Sequence, residues 1–246
     1  MSGKLRAYFE LLRFPAVFTA IADVMMGFLV TRGNLHPPAG FAILATLSAC
    51  LYLAGMVLND VFDADIDASE RPQRPIPSGR ISRTSAALLG WTLIAFALVV
   101  AVHFSQHSEQ WRTTIVAFTL AGCVLLYDSS AKHTLAGPLV MGGCRTLNVL
   151  LGMSLATAPG SPSLRSWNPV EWAIALAIGL YIAGITWVAR GEAKSHSRQR
   201  VVRVALRSII VIDAAITLGY CGPFWACAVL ALLAPMLILE RWASTT

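Results

Sequence analysis

Charged residues are scarce in this chain. Only 13% of its 246 residues are charged and 56% are hydrophobic, whereas a soluble domain carries about 25% charged residues. Its 19 basic and 13 acidic side chains cannot provide the polar shell that a soluble protein needs. The composition therefore excludes a soluble enzyme, a coiled coil and a disordered chain, and it predicts a protein solvated mostly by lipid.

Signals for disulfides, secretion and repeats are also lacking. The five cysteines lie in apolar stretches without the spacing of metal ligands, which indicates small buried side chains and not disulfides. Residues 1–13 lack the short apolar core and cleavage site of a removable signal peptide. No internal repeat divides the chain, so we predict a single domain over residues 1–246.

Long apolar stretches dominate what is present. A spanning helix needs about 20 mostly apolar residues, and the sequence predicts such helices at 14–30, 40–58, 84–104, 112–128, 137–156, 170–189, 203–219 and 222–241. With eight helices both termini share one side. Nearly all lysines and arginines then lie on the same side of the membrane as the termini, and only Arg32, Arg112 and Arg165 lie on the opposite side. This asymmetry predicts cytoplasmic termini, so the net charge of +6 indicates orientation and not nucleic-acid binding.

Acidic residues are concentrated in one place. Five of the 13 lie between positions 60 and 70. Asp60, Asp63 and Asp67 recur at i, i+3 and i+7, which puts three carboxylates on one helix face, whereas Asp65 points elsewhere. Clustered carboxylates resist ionisation unless a cation compensates them, and Mg²⁺ is typically bound by one or two carboxylates, waters and phosphate oxygens. We interpret the cluster as a magnesium site to which Asn59 could contribute; a solvated acidic loop is the alternative.

A proline-framed basic segment follows directly. Residues 71–82 read RPQRPIPSGRIS, and three prolines with Gly79 predict a fixed, non-helical loop. This loop holds Arg71 and Arg74 beside the acidic helix end. Guanidinium groups next to a metal site suit a ligand with several negative charges, such as a diphosphate.

The two segments together resemble a known family. The pattern Asn59-Asp60-x-x-Asp63-x-x-x-Asp67, followed by Arg71-Pro72-x-Arg74-Pro75-Ile76-Pro77-Ser78-Gly79-Arg80-Ile81-Ser82, looks like the first aspartate-rich signature of the UbiA superfamily of intramembrane prenyltransferases. A weaker similarity is to the divergent bacterial branch called EboC. The resemblance implies an all-α, polytopic membrane bundle of eight or nine spanning helices, located in the bacterial cytoplasmic membrane.

The resemblance also implies an activity. A UbiA-like enzyme transfers a prenyl group, with Mg²⁺, from an isoprenyl diphosphate to an aromatic or lipid acceptor held in the bilayer. Asp60, Asp63 and Asp67 would be catalytic and bind the metal. Asn59, Arg71, Arg74 and, after the fourth span, Lys132 would bind the diphosphate; Tyr127 matches the tyrosine of the family.

Two polar residues inside the fifth span add to the candidate site. A charged side chain in a membrane is costly and indicates function, so Arg145 and Asn148 are expected to face the cavity and contact the diphosphate. In the cavity Arg145 would pair with an acidic side chain or with a phosphate group. The alternative is a structural ion pair of Arg145 with Asp23 or Asp213.

The second aspartate-rich motif of the family is missing after the sixth span. Residues 190–195 contain no aspartate, and Glu192 is their only acid, which makes Glu192 a further candidate metal ligand. Arg190 and Lys194 are candidates for contacting the diphosphate in place of a second cation. A noncatalytic UbiA-fold protein that binds or helps move a prenylated lipid or metabolite stays the alternative. The CDP-alcohol phosphotransferase motif is absent, and the repeats of a transporter are not found.

Overall fold

The computed structural model describes residues 3–108, 111–155, 167–190 and 196–245. In these ranges the chain forms eleven α-helices and no β-strand, which confirms the predicted all-α class. In chain order the helices are α1 (Gly3–Leu12), α2 (Val17–Arg32), α3 (Pro38–Phe62), α4 (Ala64–Glu70), α5 (Arg83–Ser108), α6 (Trp111–Ser129), α7 (Gly137–Gly152), α8 (Pro169–Arg190), α9 (His196–Cys221), α10 (Pro223–Leu230) and α11 (Leu233–Thr245). Short 3₁₀ helices precede α2 and α7.

Each predicted span overlaps a described helix. Six helical segments are long and apolar enough to cross a membrane: Phe14–Arg32, Pro38–Phe62, Arg83–Ser108, Pro169–Arg190, Val204–Cys221 and Pro223–Arg241. The other two predicted spans correspond to α6, which carries Arg112 and Asp128, and to α7, which has 16 residues. A turn at residues 231–232 divides the last span between α10 and α11. The total of eight spans stays a prediction.

Proline and glycine mark the helix ends. Proline lies in the first turn of α3, α7 and α10, where its missing N–H costs nothing. Gly33 ends α2 with a φ of 75°, a conformation that other residues adopt only at a cost. The loop at 71–82 is non-helical, as predicted, because turn bonds such as Ile81 N–H to the Pro75 carbonyl at 3.0 Å replace a helical ladder.

The main core lies between α2, α3 and α5–α8, and its largest side chains include Phe28, Leu47, Leu58 and Leu151. Large apolar side chains also cover the outside of the bundle, as lipid contact requires; they include Leu88, Val99, Leu139 and Leu180. Helix α1 buries Ala7 and Leu11 against Val57 of α3 and Ile81 of the following loop. This packing fixes the chain just ahead of α2, where Arg13 lies.

Helices α7 and α8 approach backbone to backbone at two glycines. A Cβ on Gly142 would lie 2.5 Å from the carbonyl oxygen of Gly179, and a Cβ on Gly179 would lie 2.8 Å from that of Gly142. Membrane helices use small residues in this way to pack closely.

We expect Gly179→Ala to lower stability by about 1–3 kcal/mol, because the added methyl group has no space and must push α7 and α8 apart. Thermal unfolding of the purified protein in detergent measures the effect. Gly184→Ala, on the same helix, is the matched control, since a Cβ there meets nothing within 4 Å. Equal unfolding temperatures for the two variants would contradict the close approach.

Candidate functional site

A cavity of about 590 Å³ runs between α2, α3, α6, α7 and α8. Its walls are mainly apolar. Its polar end lies near the start of α2, the end of α4 and the end of α6. The lining residues are Arg13, Ala16, Ala20, Ser48, Leu51, Tyr52, Gly55, Met56, Arg71, Leu120, Val124, Tyr127, Asp128, Met141, Cys144, Arg145, Asn148, Ile182, Ile185, Thr186, Ala189 and Leu206. A cavity of this kind suits a long apolar ligand with a charged head.

The acidic segment lies beside this polar end. Helix α3 ends at Phe62 and α4 begins at Ala64, yet the backbone keeps helical bonds across Asp63: its N–H donates to Asn59 at 3.0 Å, and the N–H of Asp67 donates to Asp63 at 2.8 Å. The chain therefore keeps a nearly helical course, and Asp60, Asp63 and Asp67 stay close in space.

Asp60 and Asp67 share one guanidinium group. Nη1 of Arg74 donates to Oδ1 of Asp60 at 3.1 Å and to Oδ2 of Asp67 at 2.5 Å. Both aspartates are buried, and Arg74 reaches them because the proline-framed loop folds back over α4. Asp65 is 83% exposed and pairs with Arg83, which confirms that it points elsewhere.

Asp63 pairs with a different cation. Nζ of Lys132 lies 2.7 Å from Oδ1 of Asp63 and donates to Oδ1 of Asn59 at 3.2 Å. The side chain of Lys132 is only 9% exposed, so this ammonium group is held inside the site. The structure thus brings together three predicted site residues from two distant segments: Asn59 and Asp63 at the end of α3, and Lys132 after α6.

Arg13 belongs to the same cluster, although it was not among the predicted site residues. Its Nη2 donates to Oδ1 of Asp60 at 3.1 Å, and its side chain lines the cavity. Its φ of 45° and ψ of 44° are left-handed, a conformation that costs energy in a residue other than glycine. The one available signal was its position in Arg13-Phe14-Pro15, directly before the first span, where an arginine also suits the positive-inside rule.

Arg145 and Asn148 lie deeper in the bundle and contact α2. Nη1 of Arg145 donates to Oδ2 of Asp23 at 2.7 Å, and Nδ2 of Asn148 donates to the same oxygen at 3.0 Å. Thr19 accepts the second bond of Arg145, and Ser48 donates to Asn148. This is the structural ion pair with Asp23 that the sequence left as an alternative. Both residues also line the cavity, and diphosphate binding by them stays a prediction.

Arg71 and Arg190 occupy different environments. Arg71 lines the cavity and is exposed, and among the described residues its guanidinium group has no hydrogen bond or ion pair. The guanidinium group of Arg190 donates to the backbone carbonyls of Lys132 and Thr134, so Arg190 holds the loop that carries Lys132. The candidates Glu192 and Lys194 lie outside the described residues.

The donor set fits Mg²⁺ in its chemistry, since carboxylate and amide oxygens are the hard ligands that this ion prefers. Two of the carboxylates, on Asp60 and Asp67, already share the cationic Nη1 of Arg74. In the part of the chain that the structure describes, no three His, Cys, Asp or Glu side chains are arranged to hold a metal alone. Phosphate oxygens and water would have to complete the coordination, as is usual for Mg²⁺.

The sequence matches one family model over nearly its whole length. Residues 20–245 match the UbiA prenyltransferase family. A digeranylgeranylglyceryl phosphate synthase of Sulfurisphaera tokodaii is 27% identical over 203 residues, which are 82% of this chain and 71% of that protein. A protoheme IX farnesyltransferase of Rhizobium meliloti is 30% identical over 224 residues, which are 83% of this chain and 68% of that protein.

Solved structures share the fold. A digeranylgeranylglyceryl phosphate synthase superposes with a TM-score of 0.63 at 19% identity, over 98% of this chain and 94% of that one. A UbiA homolog from Archaeoglobus fulgidus, bound to GPP and Mg²⁺, gives a TM-score of 0.59 at 16% identity, over 96% of this chain and 87% of that one. At these identities the likeness establishes the fold of the bundle.

Proposed function

Because the chain belongs to the UbiA prenyltransferase family, we propose that it transfers a prenyl group from an isoprenyl diphosphate to a hydrophobic acceptor inside the membrane, with Mg²⁺. One observation carries the proposal: Asp60, Asp63 and Asp67 meet the cations of Arg74 and Lys132 beside the polar end of an apolar cavity, which is lined by Arg13, a partner of Asp60. A diphosphate head group needs that polar end, and an isoprenoid tail needs the apolar walls.

The names of similar proteins support this proposal. The related proteins named above are a synthase of digeranylgeranylglyceryl phosphate and a farnesyltransferase. Two similar structures of the Archaeoglobus fulgidus homolog were solved with Mg²⁺ and either GPP or DMAPP. Digeranylgeranylglyceryl phosphate and protoheme IX are very different molecules, so the acceptor of this chain has to be inferred from its own residues.

Each part of the cluster has a role in this reaction. Asp60, Asp63 and Asp67, with Asn59, would hold Mg²⁺, which when bound would stabilise the diphosphate as leaving group. Arg71 has no ion pair to give up among the described residues and can turn to the diphosphate directly. Arg13, Arg74 and Lys132 can exchange their carboxylate partners for phosphate oxygens, since both are anionic acceptors of the same hydrogen bonds.

The cavity walls would complete the site. When the bond between the prenyl C1 and the diphosphate oxygen breaks, its electron pair leaves with the diphosphate and positive charge develops on the allylic group. The aromatic rings of Tyr52 and Tyr127 line the cavity and can stabilise that charge. Apolar side chains such as Leu51 and Ile182 would exclude water, which would otherwise capture the prenyl group.

We also place the diphosphate site on the cytoplasmic side of a bacterial membrane. The support is the distribution of lysine and arginine in the sequence. In the predicted bundle of eight spans, Arg71, Arg74, Lys132 and both termini share one side, and isoprenyl diphosphates, being charged, would have to reach the site from water on that side.

The direct test is metal removal. The purified protein in detergent, supplied with Mg²⁺, farnesyl or geranylgeranyl diphosphate and a panel of aromatic and lipid acceptors, should release diphosphate and form a prenylated product. With EDTA the rate should fall to background, because the diphosphate would leave without charge compensation, and added Mg²⁺ should restore it. Mass spectrometry of the product together with a diphosphate assay measures both events.

Two outcomes would separate the proposed activity from its alternative. Full activity in EDTA would contradict the metal dependence. Tight binding of the isoprenyl diphosphate with neither diphosphate release nor product, across the whole acceptor panel, would favour the noncatalytic lipid-binding protein.

A further inference from the structure

Asp128 is a buried acid that takes no part in the proposed binding of Mg²⁺ and diphosphate. It lies in the last turn of α6, is 3% exposed and lines the cavity. Its Oδ2 has no hydrogen-bond partner among the described residues. A buried carboxylate oxygen without a donor is costly, and proteins rarely leave one in place without a function.

The residues around Asp128 do not supply that donor. The charged groups that interact electrostatically with its carboxylate are Lys132, Asp63, Arg13 and Asp60. Both cations among them are engaged elsewhere, since Lys132 lies 2.7 Å from Asp63 and Arg13 donates to Asp60 at 3.1 Å.

Gly55 of α3 lies next to this carboxylate, since a Cβ there would lie 3.8 Å from Oδ2 of Asp128. Gly55 also lines the cavity, and glycine has no side chain that could donate to the carboxylate. The donor that Asp128 lacks can therefore come from a ligand in the cavity.

We propose that Asp128 is a catalytic residue that accepts a hydrogen bond from a hydroxyl group of the acceptor and removes its proton, so that the acceptor is a lipid alcohol. This inference rests on the proposed prenyl transfer. A hydroxyl group is an uncharged donor that can enter an apolar cavity, and it needs a base to become a good nucleophile. Asp128 lines the cavity together with Arg13, which donates to Asp60, so it lies close to where the reacting carbon would be.

The step balances without a further reactant. The O–H bond of the alcohol breaks and its proton moves to the carboxylate of Asp128. The alcohol oxygen forms a bond to the prenyl C1, while the bond from C1 to the diphosphate breaks and its electron pair leaves on the diphosphate. The products are an ether, diphosphate and protonated Asp128, which returns its proton to water after the ether departs.

The test compares Asp128→Asn with the wild-type full-length protein in detergent. The substrates are geranylgeranyl diphosphate with Mg²⁺ and a glycerol monoether lipid with a free hydroxyl group. We expect the wild type to form an ether, and Asp128→Asn to lose about 10²- to 10⁴-fold in kcat, the usual contribution of a general base. The Kd for geranylgeranyl diphosphate should stay within about twofold, because the base contacts the acceptor and not the diphosphate.

Four further arms complete the test. The same lipid with its hydroxyl methylated should give no product, and Asp128→Glu should recover part of kcat because it restores a carboxylate. Asp65→Asn, which removes an exposed acid paired with Arg83, is the control and should match the wild type. An aromatic acceptor shows whether the prenyl group goes to carbon instead.

The outcomes distinguish this inference from the proposed function. An active wild type with an equally active Asp128→Asn overturns the role of Asp128 alone. Loss of geranylgeranyl diphosphate binding in Asp128→Asn also overturns it, since Asp128 would then belong to the cation site. A product prenylated on an aromatic carbon, with no ether from the alcohol, overturns the alcohol as acceptor. A wild type that binds the diphosphate but transfers to no acceptor overturns the proposed function itself.

Discussion

Replacing Asp60 by asparagine is expected to abolish measurable prenyl transfer, with a loss of at least about 100-fold in kcat/KM. Oδ1 of Asp60 is the point where Arg13 and Arg74 meet, each at 3.1 Å, and it is a proposed metal ligand. The amide is nearly the same size, but it carries no charge and would present a poor ligand to Mg²⁺. The assay is product formation from geranylgeranyl diphosphate over a range of Mg²⁺ concentrations.

The control for this variant is Asp65→Asn, five residues further along the same acidic segment. Asp65 is mostly exposed and pairs with the exposed Arg83, so its loss should leave transfer unchanged. Size-exclusion chromatography of both variants checks that they fold. Wild-type activity in Asp60→Asn, or an equal loss in both variants, would remove Asp60 from the site.

Replacing Arg145 by methionine should have the largest effect on stability. Its partner Asp23 is fully buried in α2, and the ion pair measures 2.7 Å. Removing the guanidinium group leaves a buried carboxylate without its charge partner, which costs about 3–5 kcal/mol in proteins. Unfolding of the purified protein in detergent, by heat or denaturant, should show a loss of this order.

A double substitution separates the two roles considered for Arg145. Asp23→Asn combined with Arg145→Met removes both charges and should recover most of the stability, since a neutral pair can replace a buried ion pair at little cost. If the recovered protein binds geranylgeranyl diphosphate normally, Arg145 is structural; weaker binding would support its predicted contact with the diphosphate. Arg207→Met, which breaks a more exposed pair with Glu240, is the control and should cost at most about 1 kcal/mol.

Local patterns predicted much of this molecule. The apolar stretches located the helices because each stretch must satisfy its backbone inside lipid. Likewise, the Asp60-Asp63-Asp67 spacing and the prolines of the following loop depend on residues near one another in the chain, so a single sequence contains the whole signal. The exposed position of Asp65 followed from the same helical periodicity.

The partners of the charged residues could not be predicted in this way. Whether Asp63 meets Lys132, or Arg145 meets Asp23, depends on how helices more than 65 residues apart in the chain pack together. Arg13 reaches Asp60 only because α1 and the adjoining turn place it there. Asp128 was not among the predicted site residues, and its significance lies in a missing donor, which only the three-dimensional arrangement reveals.

The backbone contact between Gly142 and Gly179 has a consequence for substrate choice. Because the two backbones approach so closely there, main-chain contact fixes the spacing of α7 and α8, and the wall they form carries Cys144, Ile182 and Ile185 of the cavity lining. Isoprenoids of different length would then have to be accommodated by α3 and α6 on the other side. Substitutions on α3 and α6 that face the α7–α8 wall should therefore change which isoprenoid chain length the protein selects.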